Sequence, residues 1–412
     1  MHAPTRTFPV LPLSLLLILV AASGCRPSGN TPGENTCGKP GGCVDTGGGS
    51  AGEGGEGGEG GEGGEGGEGG EGGEGGEGGE GGEGGTDSHT GGDSDTAPNT
   101  DGAFVGTVDC AALPEMGEVR EVPNAVGYHD VIFTEDGYMI GSDTAALVQT
   151  DYDGNSKLYA PGIGYTDQMD WLPGGDMVLN QLLDGSLIRM TATGGKTTIA
   201  SGVGAYEVHT GPDGMVYVAN NSGVYRIDPD TGDKEELIAP GVIRGGPRVL
   251  AFNDDFTMMY IGTLSSGRVF RVALDADHNP VGEPEVFATG MGTSYQDGLA
   301  FDVCGNLYVT VYSEYSMFRV TPSGEVSMYW RAGPTDYGHG MQWGPGAYGW
   351  RDDALYMPRP YGGYTINEVV IGVPRQGWTG EVLNRSDGTE TDTGADSGTG
   401  PDTGTGGDTA AR

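Results

Sequence analysis

The chain has 412 residues with 59 Asp and Glu against 20 Lys and Arg, a formal net charge of −39. With so few cations and no basic stripe it has no means of tracking a phosphate backbone, so nucleic acid is excluded as a partner. Its 83 glycines and 35% apolar content further divide it into a coreless part and a part able to bury a core.

The N-terminus carries Arg6, the apolar run Leu11–Ala22, then Ser23, Gly24 and Cys25. That run is shorter than the roughly 20 apolar residues that span a bilayer. It fits a signal-peptide core over residues 1–24, followed by small residues at a cleavage site. A cysteine after such residues resembles a bacterial lipobox, with Cys25 acylated; the alternative is secretion with Cys25 unmodified. The predicted location is the bacterial cell envelope, at the outer membrane or cell surface, with the membrane as a partner through the lipid.

Residues 25–104 hold almost nothing apolar, and eleven Glu-Gly-Gly triplets run from Glu53 to Gly85. Glycine maximises chain entropy and evenly spaced glutamates repel, which predicts a disordered, extended tether. Residues 386–412 have the same character, as an acidic tail of Asp, Thr and Gly. Of the five cysteines, four remain if Cys25 is acylated. Cys37 and Cys43 would close a small loop in the tether, and Cys110 and Cys304 would pin the N-terminal segment to the head, as an oxidising compartment favours. None has zinc-finger spacing.

Residues 105–385 alternate short β-rich runs with turn residues. One frame recurs: His129-Asp-Val-Ile-Phe133, Asp167-Gln-Met-Asp-Trp171, Tyr206-Glu-Val-His-Thr210, Arg248-Val-Leu-Ala-Phe252, Asp297-Gly-Leu-Ala-Phe301 and His339-Gly-Met-Gln-Trp343. A period of about 40 residues with several strands per copy predicts an all-β, six-bladed β-propeller with four antiparallel strands per blade. The third copy reads in full: an inner strand over Val208–Gly211, a turn at Pro212-Asp-Gly214, strands Met215–Ala219 and Gly223–Ile227, a turn, and an outer strand Glu235–Ile238. The last blade lacks a fourth strand of its own, and Gly117–Val122 is expected to supply it and close the ring, since an open ring leaves a bare edge.

The first residue of each copy then marks one position on a ring at the channel mouth. Tyr128, Tyr165, Tyr295 and Tyr337 stand just ahead of ring positions, with Tyr206 on the ring. Such side chains either grip a ligand through apolar area with a polar tip or pack between blades. Trp171 and Trp343 fall at the buried aromatic position, His209 is expected to point between strands, and His278 belongs to the turn chemistry of Asp275 and Asp277. No nucleophile elbow, Walker loop or dinucleotide fingerprint is present.

The segment from Asp297 to Thr310, followed by Phe318-Arg-Val-Thr-Pro-Ser-Gly324, resembles the senescence-marker/gluconolactonase family of six-bladed propellers and the related NHL-repeat propellers. The resemblance covers the head alone. It implies a divalent cation at the mouth, held by a glutamate, an asparagine and an aspartate from separate inner strands, acting as a Lewis acid on a lactone. Asp297 keeps the aspartate, but His129 stands at the glutamate position and Arg248 at the asparagine position. Arginine offers donors and no lone pair, so this oxygen site is not preserved. Two histidines and two carboxylates (Asp297, His339, His129 and Asp167) come from consecutive blades and form an alternative set for one divalent metal ion. They are either ligands or solvated groups paired with Arg248.

Three functions follow. The leading one is a surface-anchored lipoprotein whose propeller recognises an extracellular small molecule, glycan or protein at the mouth. The second is a metal-dependent lactonase-like hydrolase or a lyase, and the third is a structural protein-interaction head.

Overall fold

A computed structural model describes residues 100–385, apart from 294 and 335–337. The signal peptide, Cys25, Cys37, Cys43, most of the tether, Tyr337 and the acidic tail lie outside the described residues.

Six four-stranded antiparallel sheets form the head, and among the described residues the one helical piece is a short 3-10 turn, Tyr312–Glu314. The inner strands are Val131–Phe133, Met169–Trp171, Glu207–Thr210, Pro247–Phe252, Gln296–Phe301 and Gln342–Trp343. The third blade adds Val216–Ala219, Val224–Ile227 and Lys234–Ile238, within a residue of the expected bounds. Val119–Val122 pairs antiparallel with Thr365–Val370 and completes the sixth blade, so the ring closes as the sequence requires.

Alternation builds each blade. In Val216-Tyr-Val-Ala219 successive side chains enter opposite faces of the sheet, and both faces are buried because a blade has a blade on either side. Each blade-to-blade interface therefore has its own apolar core. Ile140, Leu147, Met177 and Leu179 fill the first, and Leu250, Ile261 and Phe270 lie in the third. Full burial of one such side chain contributes about 1.5–3 kcal/mol.

Carboxylates also latch the blades. Asp130 Oδ2 accepts from the Met169 N–H of the next inner strand at 3.2 Å, and Asp170 Oδ2 accepts from Thr210 N–H at 2.7 Å. The sixth blade meets the first through Gly340, whose N–H donates to the His129 carbonyl at 2.7 Å. A Cβ at Gly340 would collide with that carbonyl, so only glycine lets the two strands close.

The segments at either end of the described residues meet at the end of the channel opposite the mouth. Val108–Asp109 pairs with Val382–Leu383, Cys110 is disulfide-bonded to Cys304, and Phe104 packs edge-on against Trp378 at 5.5 Å. Gln376 accompanies them, its N–H donating to the Phe301 carbonyl and its Nε2 to the Phe252 carbonyl, both at 3.0 Å. Residues 100–104 already touch the head here, since Gly349 N–H donates to the Asp101 carbonyl.

Trp171 and Trp343 are half-buried and pack against the apolar cores between blades, as the buried aromatic position predicts. One expectation changes. His209 faces the channel rather than the space between strands. It lines a cavity of about 160 Å³ with Glu207, Phe252, Trp343 and Gln376, and stacks on Phe252 at 4.8 Å. His278 keeps its turn, with Asp275 Oδ1 accepting from the N–H groups of Asp277 and Asn279 at 2.9 Å.

Candidate functional site: the channel mouth

Each ring residue opens an inner strand, so six blades aim six side chains at one axis. His129, Asp167, Tyr206, Arg248, Asp297 and His339 all line one small hole of about 10 Å³. The convergence read from the repeat is real in space, and the order round the ring is the order of the blades.

Pairing within the ring is specific. Arg248 Nε donates to Asp297 Oδ1 at 2.5 Å, and both residues are buried, at 7% and 5% exposure. The guanidinium lies over the Tyr206 ring at 4.4 Å and 5.3 Å from the Tyr295 ring centre, a cation–π arrangement on two sides. His129 Nδ1 is in ion-pair contact with Asp167 Oδ1. Asp297 Oδ2 lies 3.5 Å from His339 Nδ1. The rings of Tyr128, His129 and His339 form one stack, with centroids 4.2 and 4.1 Å apart.

Neighbouring polar groups hold these side chains. Buried Asn180 accepts the N–H groups of Asp167 and Gln168 at 2.9 and 3.0 Å, and donates to the Ala205 carbonyl at 2.5 Å. Thr310 Oγ1 donates to the His339 carbonyl at 2.6 Å. The electrostatics follow from depth. Burial raises the Asp297 carboxyl against the opposing pull of Arg248. Burial, then the neighbouring His129 and Arg248, hold His339 well below the usual histidine range, so its imidazole is neutral. One layer below, burial pushes Asp130 up to about 8 and Glu207 well above the carboxylate range.

Tyrosines surround the hole. Tyr128 meets Tyr165 edge-on at 4.9 Å, and Tyr295 is 42% exposed at the rim. Three more escaped the reading of the repeat. Tyr312 meets His339 edge-on at 4.9 Å, Tyr361 lies 5.9 Å from His339, and Tyr364 lies 5.9 Å from Tyr128. They stand in the loops between second and third strands, which return to the same face as the inner-strand starts. The Tyr361-Gly-Gly-Tyr364 turn was the signal available.

The four residues expected to hold a metal do meet, but their pairings do not suit one. Arg248 brings a fixed positive charge onto Asp297, and His129 Nδ1 is engaged by Asp167. Among the described residues no group of three or more His, Cys, Asp or Glu is arranged to hold a metal ion. Ligation needs lone pairs free to converge at about 2–2.6 Å, and a guanidinium offers none.

Comparison with known proteins agrees with this geometry at the level of fold. The profile of the SMP-30/Gluconolactonase/LRE-like region matches residues 219–337. No curated protein matches the chain in sequence. A gluconolactonase from Xanthomonas campestris superimposes with a TM-score of 0.51 at 12% identity, covering 64% of this chain and 95% of that one. A luciferin-regenerating enzyme gives 0.51 at 14% identity, with 65% and 99% covered. The described residues therefore form a closed six-bladed propeller, within which residues 219–337 match the SMP-30/Gluconolactonase/LRE-like region.

Proposed function

We propose that this propeller is the recognition head of an envelope-anchored protein and binds an extracellular small molecule, glycan or protein at its channel mouth. One observation carries the reading: the six ring residues converge on a single hole under a rim of tyrosines. A preformed concavity with a few fixed polar groups and aromatic walls is what ligand sites look like. Acylation of Cys25 supplies the envelope anchor in this reading.

A second reading, hydrolysis or elimination at the same mouth, has the His129–Asp167 pair in its favour. A carboxylate on Nδ1 orients an imidazole to act as a base through Nε2. Arg248 speaks against the metal-dependent form of that chemistry.

The test is a glycan and small-molecule array probed with the full chain and with a Tyr295→Ala/Tyr361→Ala variant. Capture of a ligand by the wild type, lost in the variant, is the expected result. Equal capture by both proteins would move the site away from the mouth.

A further inference from the structure

The hole at the mouth contains buried carboxylate oxygens whose hydrogen-bonding demand is unmet, one of them 3.5 Å from His339 Nδ1. Asp297 Oδ1 is taken by Arg248 and Asp167 Oδ1 faces His129, but Asp167 Oδ2 and Asp297 Oδ2 are buried without a hydrogen bond. Asp167 is 2% exposed and Asp297 5%. Both are acceptors, and a buried acceptor without a donor is costly, so the missing partner is a group that donates.

Charge and size narrow that group. Arg248 is committed to Asp297 and His129 to Asp167, so a ligand anion would enter a poorly hydrated hole beside two carboxylates. A hydroxyl supplies one donor for two waiting oxygens. A primary ammonium has three donors and no acceptor, so it can serve both oxygens at once. The hole admits a group of about water size.

We infer that the ligand recognised at the mouth carries a primary ammonium, which enters the hole and donates to Asp167 and Asp297. This rests on the binding reading above and supplies the chemistry of its ligand. Arg248 does not repel the ammonium outright, because its charge is held against Asp297 and between two tyrosine rings. A quaternary ammonium fails on both counts, having no donor and too much bulk. The source is either a free amine or a lysine side chain presented by a protein.

Calorimetric titration of the full chain with n-butylamine, n-butanol, butyltrimethylammonium and butyrate tests the inference on the unaltered protein. Butylamine is expected to bind at least tenfold more tightly than each of the others, and Asp167→Asn to weaken it at least tenfold. Repeating the titration with a blocked peptide bearing one lysine separates the two sources, the tighter ligand naming the source. Butanol or butyrate binding as well as butylamine, or none of the four binding, overturns the inference. If array ligands still depend on Tyr295 and Tyr361 in that case, the ammonium assignment alone has failed. If they do not, the binding reading has failed with it.

Discussion

Arg248 and Asp297 begin the inner strands of neighbouring blades and meet at the channel axis, Nε to Oδ1 at 2.5 Å. The pair sets a fixed positive charge against one of the two ring carboxylates.

Removing half of such a pair leaves an uncompensated buried charge. Arg248→Met is expected to destabilise the head by about 3–5 kcal/mol, the range for breaking a buried pair from one side. Adding Asp297→Asn to Arg248→Met should recover most of that loss, since the buried charge is then gone. Urea unfolding of the two single variants and the double measures the coupling, and additive losses would mean that the pair is not a unit.

Below the ring, Asp130 sets a pH dependence. Burial, opposed by the Val131 and Met169 N–H groups and reinforced by nearby Asp170, pushes its carboxyl up to about 8. The folded state therefore keeps a proton that the unfolded chain has released above about 4. Stability from this group is full below that point and is lost as pH rises through about 8, at no more than about 1.4 kcal/mol per pH unit. The thermal midpoint should fall between pH 6.5 and 8.5, and Asp130→Asn should flatten that fall. Lowered His339 acts in the opposite sense and below this window, where the unfolded imidazole takes up a proton. An unchanged slope in Asp130→Asn would assign the effect elsewhere, with raised Glu207 the next group to test.

The Cys110–Cys304 bond spans a sequence separation of 194 and ties the terminal strap to the fifth blade. In the chain-entropy view a loop of that length stabilises by up to about 5 kcal/mol, and measured values commonly run at 2–4. Cys110→Ser is expected to lower stability by about 2–4 kcal/mol in chemical denaturation and to speed proteolysis of the strap. Native-like resistance of the strap would show that Phe104, Gln376 and the strand pair hold it unaided.

The fold was legible because strand, turn and blade spacing are local matters repeated six times. His129, Asp167 and Arg248 announced themselves by register with Asp297, and ring closure by Val119–Val122 followed from the missing strand. What the sequence left open was distance. Nothing in the repeat says that Arg248 would reach Asp297 rather than solvent, or that His129 would turn Nδ1 to Asp167 and stack on His339. Those contacts depend on how far each side chain reaches across the ring, which spacing along the chain does not encode. Tyr312, Tyr361 and Tyr364 were hidden for another reason, since they lie in loops outside the repeated frame. His209 was misread because a strand facing a channel has no neighbour on that side.

The most direct measurement is a calorimetric titration of the full chain with its strongest array ligand, in buffer containing a chelator, beside the Tyr128→Ala/Tyr295→Ala variant. Recognition by the mouth's own side chains, as proposed, requires the wild type to bind in chelator and the variant to lose at least tenfold in affinity. Binding abolished by the chelator, or preserved in the variant, would contradict it.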